Sequence, residues 1–152
     1  MPNNLVEPLK PAADKAKLRK SKSEKGANNR EKGYQVEALV KAYLIKQGLK
    51  EVCSNYSCKV GEIDLILKHH NTLVFTEIRY RKSARFGSGI ETVSMTKQKK
   101  LIATAEHFLQ HHAWSKKLYC RFDVVGATPA AQGEKHCYNG LKINWIKNAF
   151  ET

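Results

Sequence analysis

Apolar positions recur along this chain with two different periods. From about Gly33 to Gln47, Val36, Leu39, Val40 and Tyr43 fall at i, i+3, i+4 and i+7. That spacing lines one face of a helix. Gly48 follows as a C-terminal stop. Leu49 to Asn55 reads as a strand and Tyr56–Lys59 as a connection. Between Gly61 and Arg81 the period becomes two, in GEIDLILKHHNTLVFTEIRYR. Two alternating runs around a polar break predict a β-hairpin. In the first run Ile63, Leu65 and Leu67 face one way; Glu62, Asp64 and Ile66 face the other. In the second, Leu73, Phe75, Glu77 and Arg79 share a face, opposite Val74, Thr76, Ile78 and Tyr80.

Lys82–Gly89 is polar and reads as a loop. A second helix is predicted from about Thr96 to His112, capped by Ser94 or Thr96. Leu101, Ile102, Ala105, Phe108 and Leu109 form its core face. Leu118–Val125 is a strand, 127–140 a loop and Leu141–Ile146 a last strand. The order is helix, three strands, helix, two strands, with no internal repeat. It predicts an α/β fold, a mixed sheet flanked by helices.

The hairpin carries the chemistry. With its turn centred on His70 and Asn71, Asp64 lies opposite Glu77 and Glu62 opposite Arg79. Opposed Cβ atoms are roughly 4.5–5.5 Å apart, and like charges there repel. A divalent cation converts that repulsion into ligation, because hard cations take oxygen ligands. A one-residue slip of register would send one carboxylate to the other face. Glu37 lies at the edge of the first helix's apolar stripe. It is either a solvated boundary residue or a carboxylate aimed along the helix–sheet seam.

Composition adds a partner. The 152 residues suffice for one modest core. Hydrophobic residues make up 41% and apolar runs are short, so no transmembrane helix is expected. The N-terminus has no apolar h-region, and a cytoplasmic protein is the expectation. The formal charge is +13, a bias most often explained by nucleic acid. Residues 1–32 hold nine Lys or Arg and four Asp or Glu, without aromatics. They read as a largely disordered basic arm, with a weak helix through Asp14–Lys25, ahead of a domain at 33–152. From Arg79 through Lys100 there are seven Lys or Arg and a single acid. That cluster holds the candidate phosphate contacts Arg81, Lys82, Arg85, Lys97, Lys99 and Lys100. Cys53, Cys58, Cys120 and Cys137 form no CxxC pair and read as reduced, partly buried thiols. His69–His70 and His111–His112 match no metal-ligand motif and read as surface residues.

These residues carry a resemblance. Glu37, Gly61–Ile66, Val74–Arg81, Arg85-Phe86-Gly87, Lys97, Arg121–Val125 and Asn148-Ala149-Phe150 resemble the YraN family over about residues 30–152. The family is similar to restriction-endonuclease-like nucleases and Holliday junction resolvases, which carry a PD-(D/E)xK site on a mixed central sheet. The resemblance implies a magnesium- or manganese-dependent nuclease acting on DNA rather than RNA, branched DNA included. It makes Asp64, Glu77 and Glu37 the metal-binding acids and Glu62 an auxiliary one. The family's lysine falls at position 79, where this chain has Arg79. Arginine stays protonated and cannot accept a proton, though it can hold a phosphate oxygen. Lys97 is the candidate to supply an amine from elsewhere. The alternative function is a non-catalytic nucleic-acid-binding module on the same scaffold. Related resolvases commonly dimerise, and no residue pattern here decides for or against a homodimer.

Overall fold

The computed structural model describes residues 15–83 and 93–151. Arg85 and most of the predicted Lys82–Gly89 loop lie outside them, as do residues 1–14. The chain divides into two units, Met1–Lys32 and Gly33–Thr152. The first helix, α1, spans Lys15–Lys46 and starts well upstream of the expected Gly33. Residues 15–32 are rich in Lys and Arg, which favour helix even without an apolar stripe. Everything below concerns the second unit.

Among the described side chains of α1, Val36, Val40 and Leu44 are buried, one turn apart each time. Gly48 ends the helix at φ 94°. Its N–H donates to Ile45 O at 2.9 Å, and the Leu49 N–H donates to Leu44 O at 3.2 Å. This is a Schellman stop, and Leu44 and Leu49 bury together beside it.

Five strands follow: β1 (Lys50–Cys58), β2 (Gly61–His69), β3 (Thr72–Tyr80), β4 (Tyr119–Pro129) and β5 (Leu141–Phe150). Helix α2 (Met95–His111) and a 3₁₀ segment (Ala113–Lys117) connect β3 to β4. The sheet runs in sequence order, β1-β2-β3-β4-β5. Only β3 and β4 are parallel; the other neighbours are antiparallel. A parallel pair needs a long crossover, and α2 supplies it. This is the predicted mixed sheet flanked by helices. On one side Val36, Val40 and Leu44 pack with Leu65, Leu67, Val74 and Val125. On the other, Leu101, Ala105 and Phe108 pack with Ile66, Leu73, Phe75 and Phe122. Each fully buried large side chain contributes roughly 1.5–3 kcal/mol.

Three strands run longer than their alternation indicates. β1 reaches Cys58 because Tyr56 packs edge-on against Phe108 and its hydroxyl lies 2.7 Å from His107 Nδ1. β4 continues to Pro129 because Ala127 and Thr128 are buried against Ile143 and Lys142. β5 continues to Phe150, whose ring stacks on Phe122 at 4.8 Å. Among the described residues no helix is long and apolar enough to cross a membrane. All four cysteines are free thiols; Cys53 and Cys58 are half-buried, but Cys120 and Cys137 are exposed.

Candidate active site

The site begins with the β2–β3 hairpin. His69 pairs with Thr72, so the turn is His70–Asn71, with His70 at φ 52°. Pairing runs back from there to Leu65 opposite Thr76. The same register carried one step further sets Asp64 against Glu77, the arrangement expected from spacing. At that step the ladder stops. Asp64 Oδ2 instead accepts the backbone N–H of Ile78 at 2.7 Å. A carboxylate thus takes the place of a strand carbonyl where β2 and β3 separate.

The same point is irregular on the other side of β2. Ser54 pairs with Leu65 and Tyr56 with Ile63, and Asn55, between them, lies at φ 53°. A non-glycine residue there is uncommon, and Asn tolerates it best. Leu65 packs in the α1-side core, yet Ile63 packs in the α2-side core. The expectation that Ile63, Leu65 and Leu67 share a face is therefore corrected. The left-handed Asn55 interrupts the alternation of β1, and β2 turns over with it at Asp64.

Burial pushes the Asp64 carboxyl up to about 6. The Ile78 N–H opposes this, Glu77 adds to it, Lys97 lowers it and Glu62 adds a smaller rise. Glu77 is 9% exposed. Lys97 Nζ lies 3.1 Å from its Oε2. The ammonium is at ion-pair distance but outside hydrogen-bonding direction, so Oε2 has no hydrogen-bond partner among the described groups. A buried carboxylate oxygen without a hydrogen bond is costly.

Glu37 lies on α1, beside a small cavity of about 110 Å³ that Lys41, Ser54 and Asn55 also line. Burial raises its carboxyl first and the charge of Asp64 second, while a hydrogen bond from the Asn55 side chain pulls it down. Glu37 therefore feels Asp64, as the seam reading expects. No group of three or more His, Cys, Asp or Glu side chains gathers for a metal among the described residues. Asp64, Glu77 and Lys97 come together, and Glu37 interacts with Asp64 through its charge.

The donors still suit a hard cation. Magnesium is held by one or two carboxylates with water completing its shell. Asp64 and Glu77 supply two, one of them with an oxygen lacking a hydrogen bond. Arg79 is half-buried on β3, opposite Gly126 of β4. Arg81 and Lys82 are exposed just beyond β3, and Lys99 and Lys100 are exposed on α2. Lys97 and Lys100 line a cavity of about 430 Å³ with Ser57, Lys59, Gly61 and Glu62.

The Arg121–Val125 segment serves the fold. Asp123 is 1% exposed. It receives Arg121 Nε at 3.0 Å, the Trp145 indole N–H at 2.8 Å and the Asn148 N–H at 3.0 Å. Asn148, at φ 51°, lies where the β4–β5 register shifts. The three partners of Asp123 come from β4 and β5, so Asp123 fixes that edge of the sheet. Sequence reading missed this role, along with those of Asn55 and Lys59. An Asn between two strand-like runs is a signal for a left-handed kink, and nothing marked Lys59.

Residues 36–127 match the model of the uncharacterised protein family UPF0102. The chain belongs to the UPF0102 (YraN) family. A UPF0102 protein of Saccharophagus degradans is 44% identical over 124 residues, covering 82% of this chain and 96% of the relative. One of Nitrosococcus oceani is 44% identical over 128 residues, covering 84% and 98%. One of Coxiella burnetii is 44% identical over 120 residues, covering 79% and 92%. Asp64, Glu77, Lys97 and Asp123 all fall inside the family match.

Proposed function

We propose that this protein is a magnesium- or manganese-dependent nuclease acting on DNA, branched forms included. The observation that carries the reading is the meeting of Asp64 with the buried Glu77 where β2 and β3 part. Burial first, and the charge of Glu77 after it, raise the Asp64 carboxyl, so its position is unfavourable for folding alone. Asp64 and Glu77 would hold the cation, with Glu37 acting through water from the α1 side. The bound cation would supply a water acidified to near neutral pH. The chain's own residues do the rest. Lys97 and Arg79 place positive charge where a phosphodiester gains negative charge, the dominant need in phosphoryl chemistry. Arg81, Lys82, Lys99 and Lys100 offer backbone phosphate contacts, and Arg85 joins them by sequence. The free thiols suit the reducing cytoplasm. The test is cleavage of branched, single-stranded and duplex DNA with magnesium or manganese. Asp64→Ala and Glu77→Ala should each abolish cleavage; activity surviving both would put the chemistry elsewhere.

One observation favours a second reading, a binding module without catalysis. Arg79 stands where the resemblance calls for a proton-accepting amine. Binding would then persist in EDTA and weaken steeply with salt. Arg79→Lys separates the two: a sharp gain in cleavage marks a weakened nuclease, and no cleavage in either form marks the module.

A further inference from the structure

The cavity beside the carboxylates is built from two pieces of chain. The β1–β2 turn supplies Ser57, Cys58, Lys59, Val60, Gly61 and Glu62, and α2 supplies Lys97 and Lys100. Its volume, about 430 Å³, falls within the range of small-ligand clefts. Three lysines line it against one glutamate. Two of them stand in the first turns of α2, which hold no acid in the first turn and where the helix dipole disfavours cations. An anion seated there would relieve both the mutual repulsion and the dipole.

Packing fixes the walls. A Cβ on Gly61 would come 2.9 Å from Thr104 Oγ1 and 3.6 Å from Lys100 Cβ. The turn therefore lies hard against α2, and any side chain at position 61 must displace Thr104. Thr104 Oγ1 is itself committed, donating to Lys100 O at 2.7 Å. β1 and β2 stay paired to Cys58 opposite Gly61, at the rim. Lys97 belongs to both places: it lines the cavity and lies 3.1 Å from Glu77 Oε2.

We propose that this cavity is a phosphate-binding subsite, seating the phosphate of a nucleotide next to the one held at Asp64 and Glu77. It rests on the nuclease reading only for its neighbour; the lysines and walls stand by themselves. The phosphate has two sources, a 5′ strand end or an internal phosphodiester.

The test measures binding of 5′-phosphorylated and 5′-hydroxyl single-stranded oligodeoxynucleotides in EDTA across a salt series. Wild type is compared with Lys59→Ala/Lys100→Ala and with Lys116→Ala/Lys117→Ala, which removes equal charge from exposed positions on the 3₁₀ segment. In parallel, alkylation of Cys58 is followed by peptide mass spectrometry. The Lys59/Lys100 variant should lose about 0.7 of log–log salt slope for each phosphate contact removed. The Lys116/Lys117 variant should lose clearly less, and oligonucleotide should slow Cys58 alkylation in wild type. A 5′-phosphate preference that vanishes in the Lys59/Lys100 variant assigns the subsite to a strand end; equal loss for both oligonucleotides assigns it to an internal phosphate. Equal slopes in the two double variants, or Cys58 alkylation indifferent to oligonucleotide, overturn the subsite. Catalysis is silent in EDTA, so the two readings fail separately. A protein that protects Cys58 but never cleaves with magnesium keeps the subsite and loses the nuclease.

Discussion

Asp64 Oδ2 accepts the N–H of Ile78, the residue just past Glu77 on the neighbouring strand, at 2.7 Å. One hydrogen bond thereby ends a ladder and sets a carboxylate beside a second, buried one. Stability should reveal this. The Asp64 carboxyl is raised from 3.8 to about 6, so the unfolded chain ionises it more readily than the folded one. Below about pH 3 both states are protonated and Asp64 costs almost nothing. The penalty grows as pH rises through about 3.8 and is complete by about pH 7, at about 3 kcal/mol. Asp64→Asn, which keeps an acceptor for Ile78, should gain about 1–3 kcal/mol in urea unfolding at pH 7.5 and almost nothing at pH 3.5.

Lys97→Met removes a cation 3.1 Å from Glu77 Oε2. Leaving a buried carboxylate alone is strongly unfavourable, but Lys97 is itself partly solvated, and about 1–3 kcal/mol is expected. Lys97→Met/Glu77→Gln should recover most of that loss. A double-mutant cycle with a coupling near zero would show the ion pair to be inconsequential.

Asp123 should be far less tolerant. Asp123→Ala strands Arg121, Trp145 Nε1 and the Asn148 N–H together. The expected loss is about 3–5 kcal/mol, read by urea unfolding with Trp fluorescence. The variant should also lose protection from amide exchange along β5.

Gly61→Ala drives a methyl toward Thr104 Oγ1, which its own bond to Lys100 O holds in place. A cost of about 1–3 kcal/mol follows. In a Thr104→Ala background the same substitution should cost clearly less, and thermal unfolding of the four proteins measures the difference.

Periodicity made most of this fold legible. Val36 and Val40 on α1, and Leu101, Ala105 and Phe108 on α2, are buried as their spacing implies; Leu39 and Tyr43 are only partly buried, and Leu44, outside the expected stripe, is fully buried. A turn assumed at His70–Asn71 sets Asp64 against Glu77, and the observed two-residue turn has that register. What alternation did not carry were its interruptions. Asn55 leaves the strand conformation through its own φ, and the resulting change of face at Ile63 has no mark in a pattern of apolar and polar letters. The ends of β4 and β5 were cut short because Ala127, Thr128 and Ala149 look like loop composition, and only pairing with a distant strand shows otherwise. The cavity beside Lys59 depends on Gly61 meeting Thr104, a contact far apart in sequence.

Calorimetric titration of manganese into wild type, Asp64→Ala and Glu77→Ala at pH 7.5 tests the central claim most directly. Wild type should give a saturable one-site isotherm and a raised unfolding temperature, both lost in either variant. An isotherm unchanged by both substitutions, or no heat from wild type with or without oligonucleotide, would contradict a cation site at these two acids.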